Sequence, residues 1–208
     1  MPDRYEHVTG GVYFMATIAS VCVYCGSSLG VNPRHGEAAR RLGTQLASHG
    51  IRLVYGGGRI GLMGQVADAV LAGGGEVIGV IPEHLQVLEK GHHGVTDLRV
   101  VASMHERKNL MFELSDAFVI LPGGFGTLDE AFEMLTWRQL QLHDKPILFL
   151  NIDGYWTPFG ELVDQVIAEG FARDSSRRLF AVVDRVEDVI PTLLRQPAPA
   201  IPNAVQRL

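Results

Sequence analysis

The stretch FVILPGGFGTLDE, residues 118–130, indicates both the fold class and the place where a ligand would bind. An apolar run ends at Pro122, three glycines follow within four residues, and TLDE then has the composition of a first helical turn. A strand that passes through glycines into a helix is a common phosphate-binding arrangement, because backbone N–H groups at the helix start point at the anion. The candidate ligand contacts in this stretch are Gly123, Gly124, Phe125, Gly126 and Thr127.

A purely structural interpretation of the same stretch is also available. Thr127 and Glu130 fit a capping box, in which each side chain binds a free backbone N–H at the start of a helix. This interpretation predicts a helix over 128–140 and gives neither residue a function, but it leaves the glycines unexplained. If the glycines bring bare backbone up to an anion, Glu130 lies beside the sugar end of a sugar phosphate.

The alternation of apolar runs and amphipathic segments continues along the chain. Continuous Val, Ile and Leu runs are typical of parallel strands that are buried on both faces. They predict strands at 18–24, 51–55, 76–81, 98–101, 117–121, 146–150 and 180–183. Helical patterns cover 33–49, 61–72, 104–115, 128–140, 160–169 and 186–195. The alternation predicts an α/β fold, a Rossmann-like doubly wound parallel sheet with helices on both faces.

The domain organisation follows from where these patterns begin and end. We expect a single Rossmann-like domain over residues 17–196, a loosely ordered N-terminal extension over 1–16 and a Pro-rich tail over 197–208. Charges within the first 15 residues argue against a signal peptide, so we expect a cytoplasmic protein. The net charge of −5 gives no electrostatic reason to bind nucleic acid or an anionic membrane.

The two cysteines, Cys22 and Cys25, form a C-x-x-C pattern that invites a metal or redox interpretation. On a strand, however, residues three apart point to opposite faces, and no second pair completes a zinc site. We therefore expect two small buried side chains, no metal and no cofactor.

Ligands of doubly wound sheets lie beyond the carboxyl ends of the strands. The segments to inspect are therefore CGSS at 25–28, GGGRIGLMG at 56–64, PEHL at 82–85, SMHERK at 103–108 and PGGFGT at 122–127. Gly26 and Ser27 in the first and Gly57 and Gly58 in the second are candidate contacts. GGGRIG also fits a dinucleotide fingerprint, with Glu83 in the place of a ribose-binding acid, so NAD binding is an alternative. The motif follows the second strand rather than the first, which favours a loop that approaches phosphate or ribose.

In SMHERK, Met104 and Arg107 fall on one helical face, and Lys108 lies on the face next to it. Cations in a first helical turn are unfavourable, because they face the positive end of the helix dipole. A negatively charged group facing Arg107 and Lys108 would offset this unfavourable interaction. The candidates are a phosphate, which Arg107 can bind with two hydrogen bonds, and Glu130.

Taken together, these motifs resemble one family. PGGFGTLDE matches P-G-G-x-G-T-x-x-E, SMHERK matches M-H-x-R-K, and VYCGSS, LVYGGGRIGLMG and VIGVIP occur in the same order. Over residues 17–194 the chain resembles the LONELY GUY (LOG) cytokinin riboside 5′-monophosphate phosphoribohydrolases. The resemblance implies hydrolysis of the N-glycosidic bond of N6-modified AMP, with AMP as a further substrate, to a free base and ribose 5-phosphate. It also implies that Arg107 and Glu130 are the catalytic pair.

The resemblance implies further contacts and a partner. The implied nucleotide contacts are Glu89, Met104, Lys108, Gly124, Phe125, Gly126, Thr127 and Thr136. The family is typically a homodimer whose long helices pack together and whose subunits can complete each other's sites. One departure is visible, because Ser103 stands where the family commonly has Asp before M-H-x-R-K.

Two alternatives to the hydrolase function follow from the same resemblance. Members of the family often carry the label lysine decarboxylase, which would need a pyridoxal phosphate lysine, and Lys90, Lys108 and Lys145 lie in no such motif. A non-catalytic nucleotide or molybdenum-cofactor carrier of the same architecture is the alternative function. A carrier needs the phosphate-binding turn but not the pair of Arg107 and Glu130.

Overall fold

The computed structural model describes residues 18–86 and 90–196. Its strands are β1 Ser20–Tyr24, β2 Arg52–Tyr55, β3 Val77–Pro82, β4 Asp97–Val101, β5 Ala117–Ile120, β6 Ile147–Leu150 and β7 Ala181–Val183. Its α-helices are α1 Pro33–Ser48, α2 Gly61–Ala72, α3 Met104–Glu113, α4 Phe125–Gln139, α5 Thr157–Ala168 and α6 Val189–Leu194. The expected extension over 1–16, the tail over 197–208 and Glu89 lie outside the described residues. Among the helices described, none is long and apolar enough to cross a membrane.

All seven strands form one parallel sheet in the order β4-β3-β2-β1-β5-β6-β7, which confirms the predicted fold class. From β1 the chain moves outward to β4, then returns to place β5 on the other side of β1 and continues to β7. Val23 on β1 pairs with Val119 on β5. The strand order therefore reverses between β1 and β5, the place where doubly wound sheets bind ligands.

Helices cover both faces of the sheet and bury a separate apolar layer on each. On one face, Val21 and Val23 of β1 pack with residues of α1, α2 and α6. On the other, Cys22 and Tyr24 pack with residues of α3, α4 and α5. Cys25 belongs to the first layer and Cys22 to the second, so the prediction that the two thiols point to opposite faces is confirmed.

The predicted strand boundaries agree with the structure within two residues, whereas three helices begin elsewhere. Helix α4 begins at Phe125 rather than residue 128, and α5 begins at Thr157 rather than residue 160. In the last segment a 3-10 turn, Val186–Asp188, precedes the shorter α6. Glycine and proline in a first helical turn explain the first two differences, since both are tolerated there but resemble a loop in sequence.

Candidate active site

An open cleft of about 570 Å³ lies at the carboxyl ends of the central strands, beside the reversal in strand order. Residues from five parts of the chain line it: Val23, Tyr24, Cys25, Gly26 and Ser27 at the end of β1, Gly56 after β2, Met63 on α2, Arg107 on α3, and Gly124, Phe125, Gly126, Thr127 and Glu130 on the α4 segment.

One wall of the cleft is the start of α4. Gly124 caps this helix without a side-chain hydrogen bond, so the N–H groups of the first turn, whose residues line the cleft, have no intrahelical partner. Thr127 is the third helical residue and not the cap, so the capping-box interpretation of Thr127 and Glu130 is wrong. The physical reason is that Gly124 takes the extended cap conformation, with φ −93° and ψ −154°, so the helix starts two residues before Thr127. A Cβ on Gly123 would lie 2.1 Å from Thr127 Oγ1, so the missing side chain leaves room for the threonine inside the first turn.

The turn after β1 packs against the turn after β5. Gly26 N donates a hydrogen bond to Pro122 O at 3.0 Å. A Cβ on Gly26 would lie 3.2 Å from Ser28 O of its own turn and in van der Waals contact, at 3.4 Å, with the Cα of Gly123. Gly26 and Ser27 line the cleft opposite the helix start.

Arg107 is held in the cleft by main-chain oxygens. Its Nη2 donates to Gly56 O at 2.8 Å and its Nε donates to Val80 O at 3.1 Å. Only 5% of the residue is exposed. A Cβ on Gly56 would lie 2.1 Å from Nη2, so this position requires glycine for the arginine to fit.

The start of α3 explains how the chain turns Arg107 inward. Ser103 Oγ accepts from Glu106 N at 3.1 Å, and Glu106 Oε2 accepts from Ala102 N at 2.9 Å. This is a capping box displaced by one residue, with the S-x-x-E spacing visible in the sequence but missed by the sequence analysis. Ser103 supplies the N-cap that an aspartate would supply at the same position.

Glu130 reaches the same cleft from the second turn of α4. It is 8% exposed, and it lines the cleft together with Arg107 from α3. Tyr24 lines the cleft beside Glu130. Burial, the Cys22 thiol and the Glu130 carboxylate together raise the pKa of the Tyr24 phenol, which therefore stays neutral. Two buried groups of opposite charge therefore line one cleft, and electrostatic interactions of buried groups are stronger than those in water.

Eight of the predicted site residues line the cleft, and six described ones do not. The eight are Arg107, Glu130, Gly26, Ser27, Gly124, Phe125, Gly126 and Thr127. Gly57 and Gly58 lie behind it, where Gly57 packs on Ile81 of β3 and Gly58 pairs with Gly91. Gly123 is not in the cleft lining, and its backbone lies against the Thr127 side chain.

The other three predicted contacts lie on helices outside the cleft lining. Lys108 Nζ is 3.1 Å from both Asp129 Oδ2 and Glu133 Oε1. Burial lowers the pKa of Lys108, but these two carboxylates outweigh burial and raise it overall. Met104 Sδ lies 3.8 Å from Arg107 Nη1. Thr136 lies in an apolar groove between α4 and α5.

Five residues line the cleft but were not among the predicted contacts: Val23, Tyr24, Cys25, Gly56 and Met63. Gly56 belongs to the glycine run that had been noted, so its position right after β2 could have identified it. Met63 and Tyr24 have no such signal, because an apolar residue at a helix start or strand end is more often part of the core.

No group of three metal-binding side chains occurs in residues 18–86 and 90–196. The chain has three lysines, Lys90, Lys108 and Lys145, and none of them lines the cleft. Lys145 Nζ is instead buried, where it donates to Phe112 O at 2.8 Å. The residues of the cleft therefore do not fit a pyridoxal phosphate bound as a Schiff base.

Sequence comparison matches this chain to known proteins. Residues 63–193 match a family model described as "Possible lysine decarboxylase". The chain is 46% identical over 170 residues to the cytokinin riboside 5′-monophosphate phosphoribohydrolase LOG of Oryza sativa subsp. japonica, covering 82% of this chain and 70% of the rice protein. A phosphoribohydrolase of the same description from Rhodococcoides fascians is 45% identical over 178 residues, covering 85% and 90% of the two chains.

The chain belongs to the LOG family. The resemblance read from the two motifs is thereby confirmed. Among solved structures, the molybdenum cofactor binding protein of Rippkaea orientalis superposes with a TM-score of 0.64 at 22% identity, covering 84% of this chain and 94% of that one. At this identity the likeness concerns the fold. The LOG motifs, in contrast, supply the two charged residues that meet in the cleft.

Proposed function

We propose that this LOG-family protein hydrolyses the N-glycosidic bond of N6-modified AMP, and of AMP itself, to the free base and ribose 5-phosphate. The observation that carries the proposal is the meeting of Arg107 and Glu130 in one cleft whose wall is a helix start with free N–H groups. The two relatives in rice and Rhodococcoides fascians are named for this activity with cytokinin riboside 5′-monophosphates.

The start of α4 is the proposed phosphate site. Gly124, Phe125, Gly126 and Thr127 present backbone N–H groups where no side chain caps the helix, and the positive end of the helix dipole favours a dianion there. The glycines let the phosphate approach the backbone closely. A nucleotide anchored at this point has its ribose next to the second turn of the same helix, where Glu130 lies.

Glu130 is the proposed group at the reacting carbon. Glycoside cleavage passes through an oxocarbenium-like state, in which positive charge develops on the sugar. A buried carboxylate stabilises that charge and orients the water, which adds to the anomeric carbon as the bond to the base breaks. The base leaves with the bonding electrons and takes up one proton, and the water loses one proton as it becomes the anomeric hydroxyl.

Arg107 is proposed to fix the nucleotide. Its guanidinium is already oriented by Gly56 O and Val80 O, so little side-chain freedom remains to be lost when substrate binds. Arginine does not release its proton at neutral pH, and its role is therefore binding and orientation through hydrogen bonds.

The assay that tests the proposal incubates the protein with isopentenyladenosine monophosphate and, separately, with AMP. Release of free base and ribose 5-phosphate, followed by chromatography, is the expected result. A nucleotide or molybdenum-cofactor carrier would bind its ligand and release no base, and that outcome would overturn the proposal. The feature that separates the two functions is the pair of Arg107 and Glu130, which a carrier does not need.

We also propose a cytoplasmic homodimer. Phe132, Leu162 and Val166 are 42%, 49% and 37% exposed on neighbouring helices α4 and α5, and they line an apolar groove of about 670 Å³. Exposed apolar patches of this kind are typical of protein interfaces. Thr136 lies in this groove, so as a nucleotide contact it would act in the cleft of the partner. Light scattering of the wild type and of a Phe132→Glu, Leu162→Glu variant tests the dimer, and the variant should be monomeric.

A further inference from the structure

A short segment, residues 90–94, lies against the glycine loop that follows β2. Gly91 forms an antiparallel bridge with Gly58. Arg59 N donates to Lys90 O at 3.1 Å, and His92 N donates to Gly57 O at 2.9 Å. These hydrogen bonds make a small two-stranded ladder behind the cleft, and they fix the backbone of the glycine loop from the outside.

The His92 side chain connects this ladder to helix α2. His92 is 4% exposed. Its Nδ1 accepts from Gly94 N at 3.2 Å, so the proton of the neutral ring lies on Nε2. Nε2 then donates to Asp68 Oδ1 at 2.8 Å. The Asp68 side chain is 59% exposed, so its position on α2 does not depend on burial in the core.

The other side of the glycine loop faces the cleft. Gly56 O holds the Nη2 of Arg107 at 2.8 Å. Leu62 N donates to Gly26 O at 3.0 Å, and a Cβ on Gly61 would lie 2.3 Å from the backbone of Ser27. The loop over 56–62 therefore sets the position of Arg107 and, at the same time, that of the turn after β1.

We infer that Asp68 and His92 are positioning residues for the hydrolysis, acting through the glycine loop on Arg107. The chain of contacts runs from Asp68 to the His92 ring, from His92 N to Gly57 O, and from Gly56 O to the guanidinium. Neither side chain lines the cleft. The inference rests on the proposed function, because Arg107 matters for catalysis only if the nucleotide is cleaved there.

Three variants separate a positioning role from a structural one. Asp68→Ala removes the acceptor, Asp68→Asn keeps a carbonyl oxygen for His92 Nε2–H, and Glu76→Ala is the matched control. Glu76 is an exposed carboxylate that pairs with Arg52 at 2.7 Å, at the amino-terminal edge of the sheet. We expect kcat/KM to fall roughly tenfold or more in Asp68→Ala, since misplacement of a catalytic group by about 1 Å can cost a hundredfold. Asp68→Asn and Glu76→Ala should stay close to the wild type.

A double-mutant cycle tests whether the effect passes through Arg107. In an Arg107→Lys background, Asp68→Ala should cause little further loss, because groups that act through one another are not additive. The same fold loss in both backgrounds, or a loss in Asp68→Ala no larger than in Glu76→Ala, would overturn the inference. All variants are assayed well below their melting temperatures, and Asp68→Ser replaces Asp68→Ala if the latter does not fold.

A second measurement does not depend on activity. The Nε–H of Arg107 donates to Val80 O, so its ¹H–¹⁵N resonance should be sharp and slow to exchange in the wild type, and it is assigned by its loss in Arg107→Lys. We expect the signal to persist in Asp68→Asn and to shift or broaden in Asp68→Ala. An unchanged signal in Asp68→Ala contradicts the inference. If the wild type releases no base, the proposed function fails, while this spectrum still shows whether Asp68 orients Arg107.

Discussion

Lys108 Nζ lies 3.1 Å from Asp129 Oδ2 and thereby joins helix α3 to helix α4. Glu133, one helical turn further along α4, accepts from the same ammonium group at 3.1 Å. On α3, Arg107 directly precedes Lys108, and on α4, Glu130 directly follows Asp129. The ion pairs therefore help to fix the separation of the two charged groups that meet in the cleft.

Replacing Lys108 tests this link against a direct nucleotide contact. Lys108→Met should lower kcat roughly tenfold, because a small displacement of α3 against α4 misplaces Arg107 relative to Glu130. Asp129→Asn removes one of the two ion pairs without removing the lysine, and it should change kcat in the same direction by a smaller factor. Steady-state kinetics with AMP is the measurement. A rise in KM alone in Lys108→Met, with Asp129→Asn unchanged, would instead support the nucleotide contact that the family resemblance implies.

Glu130→Gln removes the negative charge with almost no change in shape. Turnover should fall by roughly 10²–10⁴-fold, the usual effect of losing an acid–base or charge-stabilising group. The phosphate site is untouched, so binding of AMP, measured by calorimetry, should remain within a few-fold of the wild type. A Glu130→Gln protein that hydrolyses AMP at the wild-type rate excludes this carboxylate from the reaction.

Ser103 should contribute to stability as a helix cap. Ser103→Ala removes the acceptor of Glu106 N and should lower the free energy of unfolding by about 1 kcal/mol. Ser103→Asp restores an acceptor at the same position and should be as stable as the wild type. Urea denaturation measures both. Equal stability of the alanine variant and the wild type would mean that the cap is not stabilising.

His143 should make the protein less stable in mild acid. Burial lowers its pKa to about 4, and the neutral ring donates to Met134 O at 3.0 Å while accepting from Lys145 N at 3.1 Å. Because the pKa is lower in the folded than in the unfolded state, the unfolded chain takes up the proton first as the pH falls. This contribution is fully present above about pH 6.5 and is lost toward pH 4, by up to about 3 kcal/mol.

The measurement is the free energy of unfolding between pH 4 and pH 7 for the wild type and for His143→Gln. The variant should show a shallower dependence on pH, because its side chain does not titrate in this window. His84 is an exposed histidine, and His84→Gln should keep the wild-type slope. Equal slopes in all three proteins would assign the acid sensitivity to other groups.

The strand positions, and the burial of the strands on both faces, could be predicted from sequence because a buried parallel strand has a continuous apolar run. The start of α4 could not, because Phe125 and Gly126 look like loop residues, and the turn before them is held by hydrogen bonds from distant parts of the chain, Gly26 N to Pro122 O and Tyr155 Oη to Gly123 O. Arg107 and Glu130 were identified by their motifs. The carboxylates that bind Lys108 were not, since sequence does not say which faces of two separate helices meet.

The glycine loop illustrates the same limit. Gly57 and Gly58 were expected at the ligand, and the run of glycines correctly marked an unusual backbone. Gly57 has a φ of +77° and packs on Ile81, so its requirement for glycine comes from the sheet behind the cleft. Only Gly56, one residue earlier, lines the cleft. A motif thus locates a loop, but the direction in which each residue faces depends on the packing around it.

The oxygens that hold Arg107 both belong to the main chain, Gly56 O and Val80 O. Side chains are what sequence drift replaces, whereas a carbonyl oxygen is present whichever residue occupies the position. The Arg107 guanidinium can thus keep its orientation while the side chains around it change, provided that position 56 stays glycine. The side chains that form the walls of the cleft can accordingly be exchanged without moving the guanidinium.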